Sequence, residues 1–296
     1  MRVQALDVVA PQNFFARTGM QIRECWAEID GHRMHYLSCG NGPALLLVHG
    51  LLGGSFCWRF NLEALAERFT VYALDLPGLG LSAAPRTLDC SMGAQAKRLL
   101  SFMEQTCLEQ VDVIGSSWGG GVGMLLAALT PRVRSLVLAA PVNPWSQWGR
   151  ERVEFFSGRL GSLLVRYGLR LPPARRYHRP SVEAMYGDRA RIAPGTLEGY
   201  AELIRVKNRG HNLVDILRSW QGDVESVRQS IANIHAPALL VWGTWDRAVD
   251  PSSMDILECA LPRCRRAVLP GVGHLPFEEV PEVFNRLVLD FVGRMG

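Results

Sequence analysis

Gly115-Ser116-Ser117-Trp118-Gly119 lies directly between a short strand-like run, Val111–Ile114, and an apolar helical stretch, Trp118–Leu129. A chain that passes from strand to helix in so few residues must turn sharply. The pattern G-x-S-x-G does this by holding its central serine in a strained backbone conformation. Glycines two positions to either side let strand and helix approach without Cβ clashes. The helix start also brings free N–H groups and a positive dipole end beneath the serine. The register admits one central serine, because centring on Ser116 would need glycines where Ile114 and Trp118 stand. A glycine-rich turn capped by serine is the bland alternative, but the flanking strand and helix are what a nucleophile at Ser117 requires. Free serine is a weak nucleophile, so a base and an orienting acid must come from elsewhere in the chain.

The rest of the sequence supplies a scaffold for that turn. Ile22–Ile29 and His32–Ser38 flank Asp30-Gly31, a dipeptide suited to a type I′ hairpin turn. Ala44–Val48 is a short continuous apolar run, as a strand buried on both faces would be. Thr70–Leu74, Val133–Ala139, Ala238–Trp242 and Ala267–Leu269 read as further strands. Phe56–Arg68, Gly93–Gln105 and Pro281–Val292 read as helices. Repeated strand–helix–strand units predict a mainly parallel sheet with helices on both faces. From 142 to 236 no convincing buried strand occurs, and helices are predicted at Arg150–Tyr167, Pro194–Asn208 and Asn212–Gln221. The expected organisation is a core of residues 1–141 plus 237–296 with a helical insertion, 142–236, over the carboxyl ends of the strands, where ligands bind in such sheets.

Composition narrows the class. With 48% hydrophobic and 20% charged residues in 296, the chain is neither disordered nor short of core. No apolar run reaches the roughly 18 residues of a membrane span. Residues 1–21 lack a continuous apolar leader segment, so a signal peptide is not expected and a cytoplasmic location is. Seven scattered cysteines are read as mostly buried thiols, and no zinc spacing occurs. The stretch 142–236 holds 15 Lys and Arg against 9 Asp and Glu, the remainder 17 against 19. Interleaved with acids, these arginines read as a solvated helical surface rather than a nucleic-acid site.

Seven histidines could serve as base. His32 and His35 flank a hairpin strand, His178 and His211 fall in the insertion, and His235 precedes a strand. His274, in Gly273-His274-Leu275-Pro276 after the last strand, falls at the same sheet edge as Ser117. Two acids follow the strand Ala238–Trp242. Asp250 precedes Pro251 and a helical stretch, Pro251–Ala260, and is read as its N-cap with proline at the first helical position. Asp246 is thereby left to orient the histidine. The chain order is Ser117, Asp246, His274.

These motifs together resemble the α/β-hydrolase fold superfamily, over nearly the whole length from about Ile22. Leu45–Gly54 resembles the His-Gly motif after the third strand, Ala73–Ser82 the D-x-P-G-x-G-x-S turn after the fourth, and Gly273–Glu282 the segment around the catalytic histidine. The resemblance implies an eight-stranded, mostly parallel sheet with an inserted helical cap, and no metal or organic cofactor. It further implies that His49 is structural and that the backbone N–H groups of Leu51 and Trp118 form an oxyanion hole. Haloalkane dehalogenases and epoxide hydrolases in this superfamily use an aspartate nucleophile, and Ser117 argues against both. A carboxylesterase acting on a hydrophobic small-molecule ester is expected, with Leu52, Trp148, Val249 and Leu275 as substrate contacts. A meta-cleavage C–C hydrolase remains open, although such enzymes usually carry asparagine where this chain has Ser116. A non-catalytic receptor or accessory protein on the same fold also remains open.

Overall fold

Leu45, Leu46, Leu47 and Val48 are all buried because their strand lies inside a sheet covered on both faces. The computed structural model describes residues 21–168, 172–204, 206 and 208–293. Residues 1–20, on which the signal-peptide expectation falls, lie outside the described residues. The strands are β1 (Arg23–Ile29), β2 (His32–Cys39), β3 (Ala44–Val48), β4 (Thr70–Leu74), β5 (Val111–Ser116), β6 (Val133–Ala139), β7 (Ala238–Gly243) and β8 (Cys264–Leu269). They form one sheet in the order β1-β2-β4-β3-β5-β6-β7-β8. Strands β1 and β2 pair antiparallel, as do β2 and β4, and every other pairing is parallel. This is the α/β-hydrolase fold expected from the motifs. Asp30 and Gly31 both have positive φ, the geometry a type I′ turn needs, and Ile29 pairs with His32 across it.

Helices fill both faces: α1 (Leu62–Ala66), α2 (Met92–Gln105), α3 (Trp118–Leu129), α4 (Arg150–Ser157), α5 (Arg159–Gly168), α6 (Pro172–Glu183), α7 (Thr196–Leu203), α8 (Arg209–Ser230), α9 (Ser253–Ala260), α10 (Pro276–Glu279) and α11 (Pro281–Val292). Alternate strand residues separate into two cores. Leu46, Val48, Val113 and Leu136 pack with Leu99, Phe102 and Val122 of α2 and α3. Leu45, Leu47, Ile114 and Val137 pack with Trp58, Leu62, Phe284 and Phe291 on the opposite face.

Several expected boundaries are corrected. Phe56–Arg68 is a 3-10 turn, Ser55–Trp58, followed by the short α1. The predicted Arg150–Tyr167 helix breaks at Gly158, whose extended backbone (ψ 172°) ends α4. Asn212–Gln221 is only the middle of the 22-residue α8, and the Pro194–Asn208 helix contracts to α7. Helix α6 was not foreseen in the sequence. Helix α9 begins at Ser253, so Asp250 is not its N-cap; instead its Oδ1 accepts from Ser252 N at 2.9 Å in the preceding turn. Three of the seven cysteines, Cys39, Cys57 and Cys90, are buried, so the expectation that most would be is corrected; Cys107 and Cys259 lie at the surface. Helices α4 to α8 lie between β6 and β7 in the chain, and α8 packs on α2 and α3. No helix among the described residues is long and apolar enough to cross a membrane.

Candidate active site

Strand β5 delivers the chain into the turn at Ser117, whose φ of 52° and ψ of −121° place it in the strained left-handed half of conformational space. The flanking glycines are required by space. A Cβ on Gly115 would lie 2.6 Å from Gly119 O, and one on Gly119 would lie 2.3 Å from His49 O. Trp118 opens α3, so its N–H has no carbonyl one turn earlier within the helix. Gly50 sits against the serine: a Cβ there would be 3.1 Å from Ser117 Cβ and 3.7 Å from its Oγ. The next residue, Leu51, lines the same cavity as Ser117.

His49 holds that loop in shape. Its Nδ1 lies 2.8 Å from Gly50 O, and its Nε2 accepts from Leu76 N at 3.1 Å. An acceptor at Nε2 puts the proton on Nδ1, so the ring is neutral. Burial pushes its pKa below the usual imidazole range, in keeping with that state.

His274 lies in the loop between β8 and α10, buried, with Nδ1 2.8 Å from Asp246 Oδ2. Asp246 divides its carboxylate between two tasks. Oδ1 accepts from Ala248 N at 2.7 Å and Val249 N at 3.1 Å, which leaves Oδ2 for the imidazole. This pairing assigns the proton to His274 Nδ1 and leaves Nε2 free to act as a base. Ser117 and His274 line one cavity of about 260 Å³. Ser117 Oγ makes no hydrogen bond to His274; the two side chains are related through the cavity they both line. Leu52, Trp148, Val249 and Leu275 all line the cavity, with Val142, Val153 and Phe277 adding apolar wall. The buried Trp118 side chain does not line it.

A second histidine–carboxylate pair escaped sequence reasoning. His35 Nδ1 lies 2.7 Å from Asp75 Oδ2, and its Nε2 lies 3.3 Å from Glu24. Burial opposes charge on this ring, yet Asp75 and Glu24 raise its pKa above the ordinary value. The pair does not line the Ser117 cavity. Asp75 organises its turn, accepting from Ser55 N and from Leu81 N at 2.8 Å, and a Cβ on Gly80 would collide with its carboxylate. The D-x-P-G-x-G-x-S motif is thus a folding requirement of the loop beside the site.

Glu278 and Glu279 also went unforeseen beyond belonging to the histidine segment. Glu278 accepts from Arg59 Nη2 at 2.8 Å, from Tyr186 OH at 2.6 Å and from Tyr200 OH. Glu279 accepts from Gly187 N, Asp188 N and Arg191. Their one signal in the sequence is a pair of acids in an otherwise apolar segment, which cannot say what they touch.

A profile of the alpha/beta hydrolase fold matches residues 43–281. The dihydrolipoyllysine-residue acetyltransferase component of the acetoin cleaving system of Cupriavidus necator is 31% identical over 276 residues, spanning 90% of this chain and 68% of that one. Haloalkane dehalogenase 2 of Mycobacterium bovis is 29% identical over 286 residues, spanning 92% and 94% of the two chains. The crystal structure of a membrane phospholipase A superposes with a TM-score of 0.77 at 26% identity, covering 96% of this chain and 89% of the other.

Proposed function

Because the chain belongs to the alpha/beta hydrolase fold family, we propose that it is a serine hydrolase that cleaves a carboxylic ester through an acyl-enzyme. One observation carries this reading: a strained serine at the end of β5 and an Asp246-oriented histidine line the same cavity. Ser117 Oγ attacks the ester carbonyl carbon while His274 Nε2 takes its proton. The backbone N–H groups of Leu51 and Trp118 receive the developing oxyanion, and Asp246 stabilises the imidazolium. Collapse breaks the ester C–O bond, and the leaving alcohol takes the proton from His274. Water then attacks the acyl-enzyme with His274 as base, releasing the acid and restoring Ser117.

The cavity wall is mostly apolar around Leu52, Trp148, Val249 and Leu275, which favours a neutral, hydrophobic substrate; the Arg150 guanidinium on that wall is already bonded to Ser146 O and Pro144 O. Likeness to a membrane phospholipase A supports an ester as the scissile group. Dehalogenation through an aspartate is disfavoured, since the turn between β5 and α3 holds Ser117 at that position. In the same reading, residues 142–236 act as a cap over a core of 1–141 plus 237–296, and no cofactor takes part.

A fluorophosphonate should label Ser117 and abolish hydrolysis of p-nitrophenyl acyl esters. Ser117→Ala should lower kcat by about 10⁴–10⁶-fold. Near-wild-type activity in that variant would end the assignment, and labelling without any ester turnover would favour a receptor.

A further inference from the structure

Helix α5 carries its leucines on the outside. Leu160, Leu163, Leu164 and Tyr167 follow the spacing of one helical face and are 66%, 52%, 53% and 55% exposed. The buried face carries Gly161 and Ser162. Close backbone approach sets this orientation. A Cβ on Gly161 would lie 2.1 Å from Phe155 O in α4, and one on Gly210 of α8 would lie 2.5 Å from Val165 O. The inward positions have no room for larger side chains, so rotating the helix cannot hide the leucines.

Phe155, near the end of α4, is a further exposed aromatic on the adjoining helix. Trp148, half-exposed on the same segment, reaches the cavity that holds Ser117, and Val153 of α4 forms part of that cavity's wall. Arg152 on α4 and Arg159 on α5 are exposed, as is Arg218 on the neighbouring α8, whose Nε reaches Ser157 O at 3.5 Å. The acids nearby are Glu151 and Glu154 on α4, with Asp215 beside Arg166 and Arg218. Across 142–236 the balance is 15 basic to 9 acidic residues, against 17 to 19 elsewhere.

We propose that this outer face of α4 and α5 docks on an anionic lipid bilayer, lying on the surface without crossing it. Leucines and aromatics bordered by arginines form the pattern that inserts between headgroups while the guanidinium groups meet lipid phosphates. No helix among the described residues could span the bilayer, so the contact is peripheral. Docking in this way sets the Trp148 rim of the cavity beside the lipid. The inference is independent of which bond Ser117 attacks.

Vesicle flotation of the full chain tests it, using phosphatidylcholine alone and phosphatidylcholine with about one third phosphatidylglycerol. Wild type and Ser117→Ala should float equally with the mixed vesicles and more weakly with phosphatidylcholine alone. Leu163→Ser/Leu164→Ser should lower the partition coefficient about tenfold or more, with thermal melting and hydrolysis of water-soluble p-nitrophenyl acetate unchanged. Arg152→Gln/Arg159→Gln should weaken flotation with the mixed vesicles selectively. Absence of wild-type flotation with either vesicle, or equal flotation of the leucine double variant, overturns the proposal. A dimer in analytical ultracentrifugation that the leucine double variant dissolves, with no vesicle binding, reassigns the face to contact between copies and equally overturns it.

Discussion

Glu279 accepts a hydrogen bond from the backbone N–H of Gly273 at 2.8 Å, one residue ahead of His274. The same buried carboxylate takes Gly187 N at 2.9 Å, Asp188 N at 3.0 Å and Arg191 Nη1 at 3.1 Å, while His274 N donates to Met185 O at 2.6 Å. The histidine loop is therefore tied to residues 185–191. Glu279→Ala leaves several donors unpaired and should cost roughly 3 kcal/mol or more of stability. It should also lower kcat for an ester substrate more than it raises KM, because the histidine loses its seat. Glu279→Gln, which keeps one acceptor oxygen, should recover part of both. Urea denaturation and steady-state kinetics report the two effects; an alanine variant with wild-type stability and kcat would show that the tie is idle.

Asp246→Asn tests which half of that carboxylate matters to chemistry. Ala248 N and Val249 N would keep the amide oxygen of asparagine and turn its NH₂ toward His274 Nδ1. Nδ1 would then accept, the proton would move to Nε2, and the ring could no longer take a proton from Ser117. The expected loss in kcat is about 10⁴-fold with the fold intact. Retention of most activity would mean that Asp246 only orders its own turn.

Glu278 joins Arg59 of the core side to Tyr186 and Tyr200 of the helical segment. Burial and the carboxylate push both tyrosine pKa values up, so the phenols remain protonated donors. Glu278→Ala strands the buried Arg59 guanidinium and should cost about 3–5 kcal/mol, measured by chemical denaturation. A loss below about 1 kcal/mol, the level of an exposed pair, would show that the cluster adds little.

Asp223, on α8, accepts from Met92 N at 3.0 Å and from Ser219 Oγ at 2.8 Å, joining α8 to the start of α2. Burial outweighs these hydrogen bonds and lifts its pKa from 3.8 to about 6. The folded state thus holds a proton that the unfolded chain has already lost between pH 4 and 6, and Asp223 weakens the fold as pH rises through that window. Asp223→Asn should raise Tm relative to wild type at pH 8 and leave little difference near pH 4. Equal shifts at both pH values would remove the titration from the explanation.

The turn at Ser117 was legible because its requirements are local. Adjacent residues must supply the glycines, the strand and the helix, and the pattern admits one register. The Asp30-Gly31 hairpin is readable for the same reason, since a dipeptide that tolerates two positive φ values dictates the turn around it. Asp246 was separated from Asp250 by an argument about helix capping that placed the cap two residues early, although Asp246 is the acid that meets His274. Glu278 and Glu279 find their partners on segments far removed in sequence, and no spacing encodes those meetings. The outward leucines of α5 were equally hidden. Their periodicity reads as burial, and only the close approach of backbones at Gly161 and Gly210 decides which face turns to the outside.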